Sequence, residues 1–329
     1  MRHAIGRSIF QMMQQDPSII CIGEDIAGGT GEDAADELGG PFGVTVGLKT
    51  HLGCDRVIDT PISETAFVGM AIGAAMTGLR PIVEVMFCDF VGVCFDQILN
   101  QAAKARFLSN GRLKMPLVIR TTMGAGDGSG AMHSQSLHGL FASIAGLAVV
   151  CPSTPAEAAG LLKSAVYSDD PVVFLENKQL YDYEALVDEA LPPVPLGKAR
   201  VIREGEDLTI VAVSALVHKA LEVAESLEHK GISATVIDPR TIKPLDWDML
   251  EASVRQTGRL IVVDEGAAFA GFADAVISGL TSRAFEAFKT APRKITPPDT
   301  PVPYAVEAEK EWLPGVGDIM TAAAKLMES

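Results

Sequence analysis

Residues 56–87 read RVIDTPISETAFVGMAIGAAMTGLRPIVEVMF. Arg56–Asp59 is a short apolar run, and Thr60-Pro61-Ile62-Ser63 supplies the turn that ends it. From Glu64 to Thr77 the residues are small or apolar, with no charge after Glu64, and Gly78 breaks the pattern before a second apolar run at Pro81–Phe87. The reading is strand, helix, strand. Runs that are apolar on both faces suit parallel strands covered by helices on each side. A crossover of this kind puts Glu64 in the first turn of its helix, just past the end of a strand, where open α/β sheets hold their ligands.

Position alone does not give Glu64 a chemical role. A carboxylate in a helix's first turn also stabilises the helix dipole, by about 0.3–1 kcal/mol. The helix itself is unusually thin, with Gly69, Ala71, Gly73, Ala74, Ala75 and Gly78. A glycine inside a helix costs roughly 1 kcal/mol relative to alanine. Close approach of another backbone would offset that cost.

The same alternation extends in both directions. Ile5, Ile9, Met12 and Met13 have helical spacing and predict an amphipathic first helix rather than a transit peptide, despite Arg2 and Arg7. Further strands are expected at Ile19–Gly23, Pro116–Thr121, Leu147–Cys151 and Val172–Leu175, with helices near Val93–Leu108 and Pro155–Ser168. A doubly wound, mostly parallel α/β domain over residues 1–185 follows. Residues 186–198 (LVDEALPPVPLGK) show no periodicity and read as a linker. The pattern then restarts: strands Leu208–Val213, Ala234–Ile237 and Leu260–Val263, and helices near Val217–Lys230 and Trp247–Thr257. These predict a smaller C-terminal α/β domain over residues 199–329. Its proline-rich stretch 296–304 (TPPDTPVPY) reads as extended surface, and a last helix falls near Ile319–Met327.

Composition narrows the partners. The 329 residues carry a net charge of −15, which repels phosphate backbones and argues against nucleic acid and anionic membranes. No apolar run approaches the roughly 18–20 residues that span a bilayer. Mean hydropathy is nonetheless +0.24, so the surplus apolar surface is expected against another subunit. Cys21, Cys54, Cys88, Cys94 and Cys151 form neither a CxxC pair nor an even framework, and a reducing cytoplasm suits them best.

Two further stretches invite chemistry. Gly124-Ala125-Gly126-Asp127-Gly128-Ser129-Gly130-Ala131 matches the dinucleotide fingerprint formally, but no acidic residue closes the following strand at Cys151-Pro152-Ser153-Thr154. It reads either as a glycine loop presenting His133 to a cleft or as a flexible loop with a solvated histidine. His138, five residues on, does not share a helical face with His133 as paired metal ligands would. The strand end Val83-Glu84-Val85-Met86-Phe87-Cys88-Asp89-Phe90 holds aromatic residues suited to a core or to stacking on a heteroaromatic ring.

Taken in order, several motifs resemble the beta subunits of 2-oxo acid and acetoin dehydrogenase components, members of the transketolase-like family. They are Gly23-Glu24-Asp25, GGPFGVT from Gly39, TPISE ending at Glu64, FDQILNQAAK from Phe95 and HSQS from His133. Ala145–Val150, Pro152-Ser153-Thr154-Pro155, Asp238-Pro239-Arg240-Thr241 and Pro244-Leu245-Asp246 continue the series, so the likeness covers almost the whole chain. The insert from Ala27 to Gly40 and VGVCFDQ from Val91 to Gln97 look most like acetoin-type subunits.

The resemblance implies thiamine diphosphate shared with an alpha subunit, two alpha and two beta chains per assembly, and a lipoyl-bearing dihydrolipoyl acyltransferase as acceptor. Mg²⁺ and the diphosphate would lie in the alpha chain. Gly126-Asp127-Gly128 here has its next asparagine only at Asn177, whereas the family's metal motif has one much closer. Glu64 would hydrogen-bond the aminopyrimidine ring nitrogen, with Phe90 stacked on that ring and Met86 and Ile62 lining its pocket. Glu24 would be a second acid on a proton path, and His133 would assist transfer to the lipoyl group. K⁺ would rest on positions Leu117, Ala165, Val166, Ser168 and Asp170, of which Ser168 and Asp170 depart from the family's usual Asp and Asn. A split transketolase-type subunit for ketol transfer and a non-catalytic scaffold are the rival readings. The first would want basic residues for a sugar phosphate, and no such cluster is present.

Overall fold

The crossover of residues 56–87 forms as β2 and its neighbours in a computed structural model that describes residues 1–28, 39–188 and 190–328. The chain separates into two units. The first takes residues 1–123, 141–176 and 180–196; the second takes 124–140, 177–179 and 197 onward. The insert from Ala27 to Gly40 falls largely outside the described residues.

In the first unit, α1 (Arg2–Gln15) leads into β1 (Ile19–Glu24), α2 (Leu48–Leu52), β2 (Val57–Thr60), α3 (Glu64–Met76) and β3 (Arg80–Phe87). There follow α4 (Val91–Asp96), a π-helical segment (Gln97–Ala102), α5 (Ala103–Leu108), β4 (Val118–Met123), α6 (His138–Ser143), β5 (Ala148–Val150), α7 (Pro155–Val166) and β6 (Val172–Asn177). Strand order is β5-β6-β4-β3-β1-β2, and the pairs β1–β2, β1–β3, β3–β4 and β5–β6 are all parallel. Because β1 is flanked by β2 and β3, the order reverses beside β1, and the carboxyl ends of β1 and β3 are where open α/β sheets hold their ligands. Core side chains such as Ile5, Ile9, Val83, Ile119 and Phe174 are wholly buried.

Two details differ from the sequence expectation. β4 starts at Val118, since Pro116 has no amide to donate to a ladder. The helix expected at Val93–Leu108 is broken instead into α4, the π segment and α5, with Cys94 at φ −109° and ψ 19°. Thr65 Oγ1 donates to the Val93 carbonyl at 2.6 Å, which draws that oxygen out of the helical ladder next to the break.

In the second unit, β7 (Arg200–Arg203) precedes β8 (Leu208–Ala212), α8 (Leu216–Glu228), β9 (Ala234–Asp238), β10 (Thr241–Lys243), α9 (Trp247–Thr257) and β11 (Leu260–Val263). Then come α10 (Phe272–Ala284), β12 (Arg293–Ile295), α11 (Val306–Trp312) and α12 (Val316–Met327). The sheet runs β12-β11-β8-β9-β7, parallel except for the edge strand β7. Its core packs Ile210, Val236 and Ile261 against Leu216, Ala220 and Val223 of α8 and Ile319 and Leu326 of α12.

Candidate active site

The carboxyl ends of three adjacent strands assemble the first group of residues. Glu24 ends β1 and lies in register with Thr60, the last residue of β2. Gly23 is in register with Glu84 on β3, so Met86 and Phe87 extend beyond β1 toward Phe90. Four residues past Thr60 the chain turns into α3, and Glu64 begins it.

Glu64 is only 7% exposed, while its neighbour Ile62 is 77% exposed. No side chain or amide among the described residues hydrogen-bonds the Glu64 carboxyl. The residue is buried, but its carboxyl oxygens are not sealed off from solvent, so the group stays open to a donor from outside the chain. Glu24 is half-buried, and its pKa lies above the ordinary glutamate value. Burial is the main cause, and the charges of Asp25 and Glu64 add to it. Glu24 therefore lies close enough to feel the charge of Glu64.

Phe90 and Met86 are both half-buried. The Phe90 ring meets Phe87 edge-on at 5.5 Å, and Phe87 continues into Phe42 at 5.4 Å and Tyr181 stacked at 5.1 Å. Thr122 Oγ1 donates to the Met86 carbonyl at 2.7 Å and fixes that backbone. Thus Glu24, Glu64, Met86 and Phe90 come to one sheet edge in the first unit. His133 is placed elsewhere: its loop belongs to the second unit, where His133 is half-buried and its amide donates to the Gly130 carbonyl at 3.2 Å.

The oxygens proposed for K⁺ serve other donors. Arg80 Nη1 donates to the carbonyls of Val166 at 2.9 Å and Ser168 at 3.2 Å. The Ala165 carbonyl accepts the Ser168 amide at 3.2 Å, and the Leu117 carbonyl accepts that of Val172 at 2.9 Å. The Asp170 carboxylate pairs with Arg106 at 2.7 Å. A guanidinium thus provides the positive charge at these carbonyls, and K⁺ fits them poorly.

Asp127, the central residue of Gly126-Asp127-Gly128, accepts from Lys178 Nζ at 2.8 Å. Burial would raise its carboxyl, but the Lys178 ammonium and the Ser129 bonds hold it below the ordinary aspartate value. Among the described residues no three His, Cys, Asp or Glu side chains cluster as a metal site.

Sequence reasoning missed two polar clusters. On β3, β4 and β6, buried Arg120 donates to Glu176 through Nε at 2.7 Å and Nη2 at 2.8 Å, and through Nη1 to Glu84 at 2.7 Å. The Tyr181 hydroxyl donates to Glu176 at 2.8 Å. Burial pushes Glu84 above the usual carboxylate range although Arg120 opposes the shift. The available signal was an acid and a base inside otherwise apolar strand runs. In the second unit, His138 and Asp264 pair at 2.7 Å with both side chains fully buried. Nothing in the spacing of residues 138 and 264 announces that pair.

Comparison with known proteins identifies the class of this chain. The family model for the transketolase pyrimidine-binding domain matches residues 1–184, and that for the transketolase C-terminal domain matches residues 197–319. A solved split-gene transketolase, described as an inactive beta4 tetramer, has the same fold at TM-score 0.77 and 24% identity, over 99% of this chain and 98% of its own. The chain therefore belongs to the transketolase-like family of two-domain proteins.

Within it, the chain is similar over its whole length to dehydrogenase beta subunits. It is 48% identical to the beta subunit of acetoin:2,6-dichlorophenolindophenol oxidoreductase of Cupriavidus necator, over 99% of this chain and 96% of that one. It is 43% identical to the Bacillus subtilis protein of the same name, with the same coverage. It is 40% identical to the pyruvate dehydrogenase E1 beta subunit of Bacillus subtilis, over 100% and 98%. It is an E1 beta subunit of the acetoin and pyruvate dehydrogenase type, from a family that uses thiamine diphosphate.

Proposed function

We propose that the chain acts with an alpha subunit, as two alpha and two beta chains, to break a carbon–carbon bond of acetoin or a 2-oxo acid and pass the acyl group to lipoamide on a dihydrolipoyl acyltransferase. The higher identity to acetoin-type relatives than to the pyruvate type favours acetoin. The observation that carries this reading is the carboxyl of buried Glu64, at a sheet's carboxyl edge with no donor among the described residues. Such a group fits a heterocycle that brings its own ring nitrogen.

Bound thiamine diphosphate would supply the nucleophilic carbon and the electron sink for the cleavage. Glu64 binds and orients the aminopyrimidine and holds a proton on its ring nitrogen. Glu24, whose pKa is raised by burial and by the neighbouring acids Asp25 and Glu64, is the second acid on the proton path. Phe90 and Met86 form the apolar wall on which a flat ring rests, and exposed Ile62 extends that wall toward the partner. His133 serves the later transfer to the lipoyl group. Mg²⁺ and the diphosphate are assigned to the alpha chain. K⁺ enters no step, and two of the carbonyls it would use, those of Val166 and Ser168, already accept from Arg80.

The cysteines described are all free, which suits the cytoplasm, although plant relatives are mitochondrial. Among the described residues no helix is long and apolar enough to cross a membrane.

The test is Glu64→Gln in the reconstituted alpha–beta enzyme. Glutamine keeps the size but holds no acid proton, so a fall in turnover of at least about 100-fold with unchanged melting is expected. Near-normal turnover removes Glu64 from the mechanism. Activity with ketose phosphates and none with lipoamide or a dye acceptor would move the chain to the transketolase-type alternative.

A further inference from the structure

Residues 124–134 carry four glycines with left-handed or otherwise positive φ: Gly124 (+99°), Gly126 (+116°), Gly128 (+72°) and Gly130 (+75°). A segment of this kind loses much conformational entropy when it is ordered. Its anchors come from a three-residue bracket, Asn177-Lys178-Gln179, that begins with the last residue of β6. Gln179 Nε2 donates to the Ala125 carbonyl at 2.6 Å. Asn177 Nδ2 donates to Glu265 at 3.0 Å, and the same carboxylate accepts the Ala125 amide at 2.6 Å.

Lys178 is the centre of the bracket. It is buried, at 8% exposure, and an ammonium without partners would not be tolerated there. Lysine has three N–H donors and no acceptor. They reach the carbonyl oxygen of His133 at 2.6 Å, Asp127 Oδ1 at 2.8 Å and, less closely, Ser134 Oγ at 3.5 Å. One buried charge therefore ties both arms of the glycine loop together, and one of its bonds goes to the backbone of the histidine itself. The His133 amide is held from within the loop by Gly130. Both polar backbone groups of this residue are thus fixed.

We propose that Lys178 is a positioning residue for His133: its ammonium closes the loop and sets the imidazole for transfer to the lipoyl group. The inference rests on the role of His133 given above. Lys178 bonds the loop's backbone and flanking side chains and touches no reacting atom. Its loss shifts the imidazole without altering the chemistry at Glu64. A misplacement of about 1 Å can reduce a rate on the order of 100-fold.

The experiment compares Lys178→Met, Lys178→Arg and His133→Gln in the reconstituted alpha–beta enzyme, with two acceptors. A lipoyl domain requires the transfer step; a redox dye such as 2,6-dichlorophenolindophenol takes electrons without it. Lys178→Met is expected to lower lipoyl-dependent turnover by roughly 10- to 100-fold and dye-dependent turnover by less than about 3-fold. Lys178→Arg, which keeps the charge and donors, is expected to recover part of the loss. His133→Gln is expected to show the same acceptor split.

Equal turnover with both acceptors in Lys178→Met, or an equal loss with both at unchanged melting, overturns the clamp. If His133→Gln shows the split and Lys178→Met does not, the clamp alone fails. If His133→Gln shows no split, the underlying role of His133 fails and the clamp with it. Should Lys178→Met not fold, Asp127→Asn, which removes only the ionic leg, must show the same split at a smaller size; an unchanged ratio in that variant overturns the proposal.

Discussion

At the scale of single residues, the strongest stability statement concerns Arg120. It is the largest fully buried side chain, and its three hydrogen bonds to Glu84 and Glu176 leave no charge in the cluster without a partner. Removing the cation would strand two carboxylates inside the sheet. Breaking a buried pair from one side typically costs about 3–5 kcal/mol. Arg120→Met should therefore shift the denaturant midpoint by that free energy, and Arg120→Lys should recover little, because a lysine cannot match the two-pronged bond to Glu176. A shift below about 1 kcal/mol for Arg120→Met would mean the network contributes almost nothing net. Glu64, at the start of α3 beside the same sheet, is the opposite case: a buried residue whose carboxyl has no donor among the described residues. The contrast between a fully satisfied acid at Glu176 and an unserved one at Glu64 separates structure from site.

At the scale of elements, His138 at the start of α6 and Asp264 at the end of β11 give the second unit a pH dependence. Burial opposes a charged imidazole, yet Asp264, with help from Glu265, raises the His138 pKa above its ordinary value. The folded pKa thus exceeds the unfolded one of about 6.5. The pair's stabilisation is then complete below about pH 6.5 and is lost as pH rises through the folded pKa. Melting temperature should fall as pH rises above about 6.5, and His138→Gln, though less stable throughout, should lack that part of the slope. Identical slopes in the two proteins would exclude His138 as the titrating group. The same pair shows where sequence reading stops. The β2–α3–β3 crossover was legible because apolar runs, turn residues and the thin helix are local signals. The strand-end positions of Glu64 and Phe90 followed from such local signals, whereas Glu24 entered only through the family resemblance. Arg120 with Glu84, His138 with Asp264 and Lys178 with the glycine loop are contacts across long separations, which no local period encodes. The π segment was equally hidden, since a hydroxyl on α3, that of Thr65, helps to set it.

At the scale of the molecule, a chain of net charge −15 still leaves several large apolar side chains of its first unit exposed. Ile62, Met70, Val93, Phe107 and Leu108 are exposed, Phe107 at 86%. Uncharged apolar area of this extent marks a partner surface more often than a solvated one. The thin helix α3 explains how a partner could approach. Gly69 is covered by Gln97, whose Oε1 lies 3.3 Å from where a Cβ would stand, but nothing lies within 4 Å of the corresponding point on Gly73. Packing within the chain accounts for the first glycine and leaves the second to a neighbouring subunit. Replacing Gly73 with glutamate therefore separates folding from assembly. Among the described residues nothing stands within 4 Å of a Cβ at this position, and leaving glycine for a better helix former should hold stability constant or raise it by up to about 1 kcal/mol. In the complex a charge and five extra heavy atoms would be forced into a close helix contact. Gly73→Glu should give a monodisperse, normally melting beta chain that fails to bind its alpha partner in gel filtration or light scattering and restores no turnover when mixed with it. Assembly at wild-type affinity would place the interface on some other face and leave this glycine unexplained.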